Sequence, residues 1–225
     1  MVAFDSAAGV RAAGIFLEGR GPMVPTFLGH GFHPFDPRPE EIFIEDIAHG
    51  LAHCYRFGGQ ARDGITVAQH SVLVAALLPP DNIERQKEGL MHDGEESLGL
   101  PDLGTTSKEI FTQYKAVQTN IGHAVFTRFN LSWPEHPEVK LADRLALAIE
   151  KRDLVNENPD ECWCPMPVPP ADFKVKSLGS PAEARELFLW AFGELGVGRA
   201  LTMRRLAREW PSAFGMQEEL SLELA

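Results

Sequence analysis

The chain has 225 residues, 44% apolar and 24% charged, enough for one domain with a real core and ordinary for a globular protein. A formal net charge of −11 without any Lys/Arg cluster argues against a nucleic-acid polymer as partner. It leaves room for a small anionic substrate held by a metal and one or two basic side chains. No run of about 18 apolar residues occurs, so no membrane span is expected.

Met1-Val2-Ala3-Phe4-Asp5 lacks a basic start leading into an apolar stretch, so no leader is expected. The cysteines Cys54, Cys162 and Cys164 form no framework and suggest a reducing, cytoplasmic setting.

Residues 1–25 are small, apolar and glycine-rich and read as an arm. Residues 26–39 are dense in Gly, Pro and aromatics, which predicts turns and a short N-terminal β-hairpin. Its His30 and His33 fit packing better than metal binding. Ile44, Ile47, Leu51 and Tyr55 recur at helical spacing and predict a first helix to about Cys54. His49 and His53 lie four apart on it. Arg56-Phe57-Gly58-Gly59 ends it, two glycines letting the backbone turn and approach something closely.

Thr66 and Gln69 form a capping-box pattern for a second helix, in which the hydroxyl caps and the glutamine reaches back. Val67 and Val74 point inward there, and so does His70; Pro79-Pro80 ends the helix. Asp81 and Glu84 repeat the pattern for a third helix over about 82–98. His92-Asp93 falls late in it, with Glu95, read as solvated, and Glu96 after it. A buried Asp93 needs a partner or a cation. Ser107 is expected to cap a long helix to about Phe129, with Lys108 in its first turn, where backbone N–H groups attract anions.

Pro137 opens a helix to about Asn156 on which Val139, Asp143, Ala146 and Glu150 share one line. Cys162-Trp163-Cys164 reads as structural. Ser180-Pro181-Ala182-Glu183 caps a helix ending at Gly196, and one more helix with an acidic tail closes the chain. His70 precedes His92 by 22 residues and Asp143 follows Asp93 by 50. Two imidazoles and two carboxylates from three packed helices make a candidate site for one divalent ion.

That order, His then His-Asp then Asp, resembles the HD-domain superfamily of metal-dependent phosphohydrolases. Ile44-Glu45-Asp46-Ile47-Ala48-His49, Arg56-Phe57-Gly58-Gly59, Val67-Ala68-Gln69-His70-Ser71, His92-Asp93-Gly94-Glu95-Glu96 and Leu141-Ala142-Asp143-Arg144 resemble the small bacterial 5′-deoxynucleotidases and phage dNTP triphosphohydrolases. The likeness spans residues 26–156 and implies an all-α helical bundle. Residues 157–225 are a loop and helical extension outside it.

The resemblance implies that His70, His92, Asp93 and Asp143 hold one divalent metal (Mn, Co, Mg, Zn or Fe). It makes Glu96 the group that positions or deprotonates the attacking water and Arg56 and Lys108 phosphate ligands; Phe57 beside them fits buried hinge packing better than a surface for sugar or base. It also implies a nucleotide substrate and a homo-oligomer. Asp102 matches an acidic family residue only across a loop that is one residue longer. Two other readings compete. One is a non-catalytic module binding a nucleotide or partner protein. The other is a di-iron oxygenase, which would need His49, His53 or His123 as extra ligands.

Overall fold

The computed structural model describes residues 19–100, 111–156, 158 and 165–216. The fold is mostly helical, with two short two-stranded sheets. β1 (Val24–Pro25) pairs antiparallel with β2 (Gly31–Phe32), Val24 opposite Phe32 and Pro25 opposite Gly31. The turn between them closes through Thr26 N–H donating to His30 O at 2.9 Å, with Gly29 at φ 87°. The expected hairpin is therefore present. Arg20 pins the segment before it, reaching Asp36 at 2.7 Å and Glu41 at 2.8 and 2.7 Å.

α1 (Ile44–His53) buries Ile47, Ala48 and Leu51. A tight turn, Arg56–Gly59, follows. Phe57, Gly58 and Gly59 all have positive φ there, at 57°, 58° and 77°. A Cβ on Gly58 or Gly59 would meet nothing within 4 Å. Among the described residues nothing approaches them closely, and what these glycines supply there is the positive φ.

α2 (Val67–Leu77) is the centre of the molecule: every residue from Val67 to Ala76 is buried. A helix buried around its whole circumference must be enclosed, and the helices Ile44–His53, Ile83–Met91, Pro137–Leu154, Pro181–Gly196 and Met203–Glu209 all pack on this one. Thr66 caps it, Oγ1 accepting from Gln69 N–H at 3.3 Å. The second half of the expected capping box is absent. Gln69 instead donates to Lys176 O at 2.6 Å and accepts from Leu178 N–H at 3.2 Å.

α3 (Ile83–Met91) is capped by Asn82, whose Oδ1 accepts from Arg85 N–H at 3.0 Å, and not by Asp81. It also stops seven residues short of the expected end. Asp93 leaves helical geometry at φ −106°, ψ 19°, and a tight turn, Gly94–Ser97, follows. A Cβ on Gly94 would stand 3.0 Å from Val125 Cγ1, so α4 (Thr112–Arg128) presses on this turn.

α5 (Pro137–Leu154) starts at Pro137 behind His136, whose Nδ1 accepts from Glu138 N–H. β3 (Phe173–Val175) leads to α6 (Pro181–Gly196), capped by Ser180 as expected. α7 (Met203–Glu209), capped by Thr202, leads to β4 (Phe214–Met216), which pairs antiparallel with β3. These later elements join the same hydrophobic core: Phe173, Leu187, Phe188 and Phe214 are fully buried with Ile47, Val72, Leu73 and Ile149. Ser107, the expected cap of α4, and Cys162-Trp163-Cys164 lie outside the described residues.

Candidate metal centre

Four segments converge. α2 carries His70; His92 and Asp93 sit just past the end of α3; α5 carries Asp143; the Arg56–Gly59 turn faces them. His70 Nε2 lies 3.1 Å from Asp143 Oδ1 and 3.8 Å from Asp93 Oδ2. His92 Nε2 lies 3.1 Å from Asp93 Oδ2 and 4.0 Å from Asp143 Oδ1. Donor atoms of His70, His92 and Asp143 all fall within 4.8 Å of one another. Two donors each about 2.1 Å from a shared ion stand about 3 to 4 Å apart, so the spacing fits one metal.

The ring nitrogens supply an independent test. Both Nε2 atoms are buried and neither has an aligned hydrogen-bond partner among the described residues. Buried polar atoms are seldom left so. The other nitrogen of each ring is engaged. His92 Nδ1 is 2.8 Å from Gly89 O, which can only accept, so Nδ1 carries a proton and Nε2 is the nitrogen left facing the carboxylates. His70 Nδ1 is 2.7 Å from Glu150 Oε1. Once their protons are displaced, two inward Nε2 atoms beside two carboxylates form a donor set suited to a divalent ion.

The charges agree. For His92, burial opposes protonation, but Asp93 and Asp143 outweigh it and push the pKa up to about 10. For His70, burial and Arg56 oppose protonation; Glu150 and Asp143 prevail and raise it. Asp93 is held far below the carboxylate range, since His92, His70 and Arg56 overcome the cost of burial. Asp143 is lowered mainly by His70, against burial. Burial raises Glu135, which adds a further acidic group beside His92, Asp93 and Asp143.

Arg56 Nε donates to Glu150 Oε2 at 2.8 Å, and its Nη1 stands 4.0 Å from Asp93 Oδ2. Its guanidinium carbon is 5.6 Å from the Phe57 ring centroid. Phe57 is half-buried against the core. Glu96 is buried in the Gly94–Ser97 turn, its N–H bonded to Asp93 O at 3.0 Å. Glu95, expected in solvent, is also buried, where Gln118 Nε2 donates to its Oε1 at 3.0 Å. Lys108 and Asp102 lie outside the described residues.

The remaining histidines do not join the cluster. His49 stacks on Phe27 at 4.1 Å and next to His53 at 4.2 Å. His123 stacks on Trp133 at 5.7 Å. His30 Nε2 is 3.0 Å from Asp46 Oδ2, and His33 Nδ1 is 3.2 Å from Gly21 O. Sequence reasoning missed Glu150 as part of the site. Its one local signal was its place seven residues after Asp143 on the same helix line.

Fold and site together define a mostly helical protein with a buried His/Asp cluster that could hold a metal ion. No family model matches the chain. The uncharacterized protein YfdR of Escherichia coli (strain K12) is 32% identical over 175 residues, covering 77% of this chain and 95% of YfdR. An uncharacterized protein of Rhodobacter capsulatus is 35% identical over 130 residues, covering 53% of this chain and 66% of that protein. The chain belongs to the family of E. coli YfdR.

Proposed function

We propose that the chain is a metal-dependent phosphohydrolase of (deoxy)nucleotides, either a 5′-nucleotidase or a dNTP triphosphohydrolase. The observation that carries this is the pair of buried imidazole Nε2 atoms facing Asp93 and Asp143. Arg56 stands at the edge of the same cluster. His70, His92, Asp93 and Asp143 hold the ion, and the likeness to HD-domain phosphohydrolases supplies the reaction class. A divalent ion bound there polarises a phosphoryl oxygen and lowers the pKa of a coordinated water.

The chain's own residues do the rest. Arg56 offers a permanent planar cation to phosphate oxygens, and Lys108 adds a second charge. Glu96, one turn past Asp93, takes the proton of the attacking water. Phe57 provides an apolar face beside Arg56 for the sugar or base. The oxygenase reading needs further histidines, and His49, His53 and His123 all stand elsewhere.

The deciding experiment is a substrate screen on metal-stripped protein refilled with Mn²⁺, Co²⁺, Mg²⁺ or Zn²⁺. The panel holds all deoxy- and ribonucleoside mono- and triphosphates, with phosphate, pyrophosphate and triphosphate measured separately. Metal-dependent release from one nucleotide class is expected, and the product separates the two reactions. Silence across the panel with metal bound would refute the nucleotide substrate and favour a non-nucleotide phosphoester, the oxygenase or the binding module.

A further inference from the structure

Glu150 is fully buried on α5, and both of its oxygens are committed. Oε1 meets His70 Nδ1 at 2.7 Å and Oε2 meets Arg56 Nε at 2.8 Å. Its partners lie far away in sequence, 80 and 94 residues back. One is a candidate metal ligand and the other the cation at the cluster's edge. Such burial is costly unless the carboxylate does something that a neutral group could not.

We propose that Glu150 is a positioning residue that holds His70 in its metal-binding tautomer and Arg56 in its phosphate-facing pose at once. The proposal rests on the metal reading of the cluster. A carboxylate is acceptor-only and has two acceptor ends. By accepting at Nδ1 it keeps the His70 proton on that nitrogen, so Nε2 turns a lone pair toward Asp143 and Asp93. By accepting from Nε it fixes the guanidinium plane, with Nη1 toward Asp93. No neutral side chain of this length can accept at both places. Glutamine has one oxygen and one NH₂ and can serve only one of the two donors.

Which donor glutamine would serve follows from charge. Arg56 is always cationic, and charge-assisted hydrogen bonds are the stronger ones. In Glu150→Gln the amide oxygen stays with Arg56 and the NH₂ faces His70 Nδ1. That nitrogen must then accept, and the ring proton moves to Nε2, where the metal would bind.

The test measures binding, not turnover. Mn²⁺ affinity is measured by titration calorimetry on stripped parent and E150Q, and inorganic phosphate affinity on the Mn²⁺-saturated forms. E150Q is expected to weaken Mn²⁺ about 10- to 100-fold and to leave phosphate affinity within about threefold of the parent. Unchanged Mn²⁺ affinity, or lost phosphate binding with Mn²⁺ intact, would overturn the assignment to His70.

Ring-nitrogen NMR of the Zn²⁺-loaded parent needs no variant and decides the matter even if E150Q fails to fold. The proton of His70 must sit on Nδ1, and a proton on Nε2 overturns the proposal. Hydrolysis enters neither readout, so a failed substrate screen leaves this result standing. A parent that binds neither Mn²⁺ nor Zn²⁺ sinks the metal reading and Glu150's role with it.

Discussion

His92 and Asp93 owe their placement to the point where α3 ends. The imidazole caps its own helix at Gly89 O, and the aspartate has already left helical geometry. That break turns two adjacent side chains toward one centre, which a continuous helix would splay by about 100°. Asp93→Ala should therefore lose metal while keeping the fold. Mn²⁺ affinity is expected to fall at least about 100-fold with an unchanged helical circular-dichroism spectrum, and parental affinity would remove Asp93 from the ligand set. Glu96→Ala should keep the metal yet lose about 10²- to 10⁴-fold in rate; a variant as fast as the parent would exclude it from proton transfer.

The proton on His92 gives a pH prediction at the same scale. In the metal-free protein its pKa stands at about 10 because Asp93 and Asp143 outweigh burial. The folded value lies above the ordinary value of about 6.5, so the imidazolium stabilises the metal-free fold fully below that pH. This stabilisation fades as pH rises through about 10. A metal must displace that proton. Apparent metal affinity should thus climb about tenfold per pH unit between about pH 6 and 8, with proton release measurable by calorimetry in two buffers. A flat profile would show that His92 is already neutral. The four candidate ligands were legible in the chain because His92 and Asp93 are neighbours and His70 and Asp143 lie on apolar helix faces, and the structure brings them together. Glu150 was not, since both its partners come from distant segments. Nor was the burial of Glu95, because Gln118 of α4 covers it.

Among the elements, α2 shows what local pattern can and cannot reveal. Thr66 announced its start, and Thr66 does cap it. Gln69 looked like the second half of that cap because propensity rules see only neighbours three residues away. Its amide actually serves Lys176 O, Leu178 N–H and Ala213 O, from segments more than 100 residues on. Gln86 repeats the device on α3, donating to Leu201 O at 2.7 Å and accepting from Leu201 N–H at 2.9 Å. Two buried glutamines thus fasten the C-terminal segments to the helices that lead to His70 and His92. Gln69→Ala would strand two backbone groups in the core, Lys176 O and Leu178 N–H, while Ala213 O keeps Lys176 N–H at 2.8 Å. At about 1 kcal/mol or more for each, the expected loss is about 2–4 kcal/mol in denaturant unfolding. A loss under about 0.5 kcal/mol, the range of surface substitutions, would show that water replaces the amide.

At the scale of the whole molecule the question is whether residues 157–225 form an appendage or part of the core. The chain could not answer it. The helix spanning Pro181–Gly196 has an evident cap and apolar spacing, but nothing local says which surface it covers. In the structure α6 lies against α1, α2 and α3, and β3 lies against α5. Phe173, Val175, Leu178, Leu187, Phe188, Leu195, Leu201, Leu206 and Phe214 are all buried. Even at about 1.5 kcal/mol each, their burial is as large as the ~5–15 kcal/mol that holds a typical domain folded. Asp153, near the end of α5, accepts from Val175 N–H at 2.8 Å, so the helix carrying Asp143 and Glu150 is also braced by β3. A chain cut after residue 156 would expose one flank of α2 and take from Gln69 and Gln86 the C-terminal backbone groups they hold. It should fail to give a cooperative thermal transition and should lose Mn²⁺ binding, although every proposed metal ligand remains in it. A truncated protein that melts cooperatively and binds Mn²⁺ with parental affinity would show that the first 156 residues fold alone. The C-terminal segments would then be a cover over a finished site and no part of the scaffold that builds it.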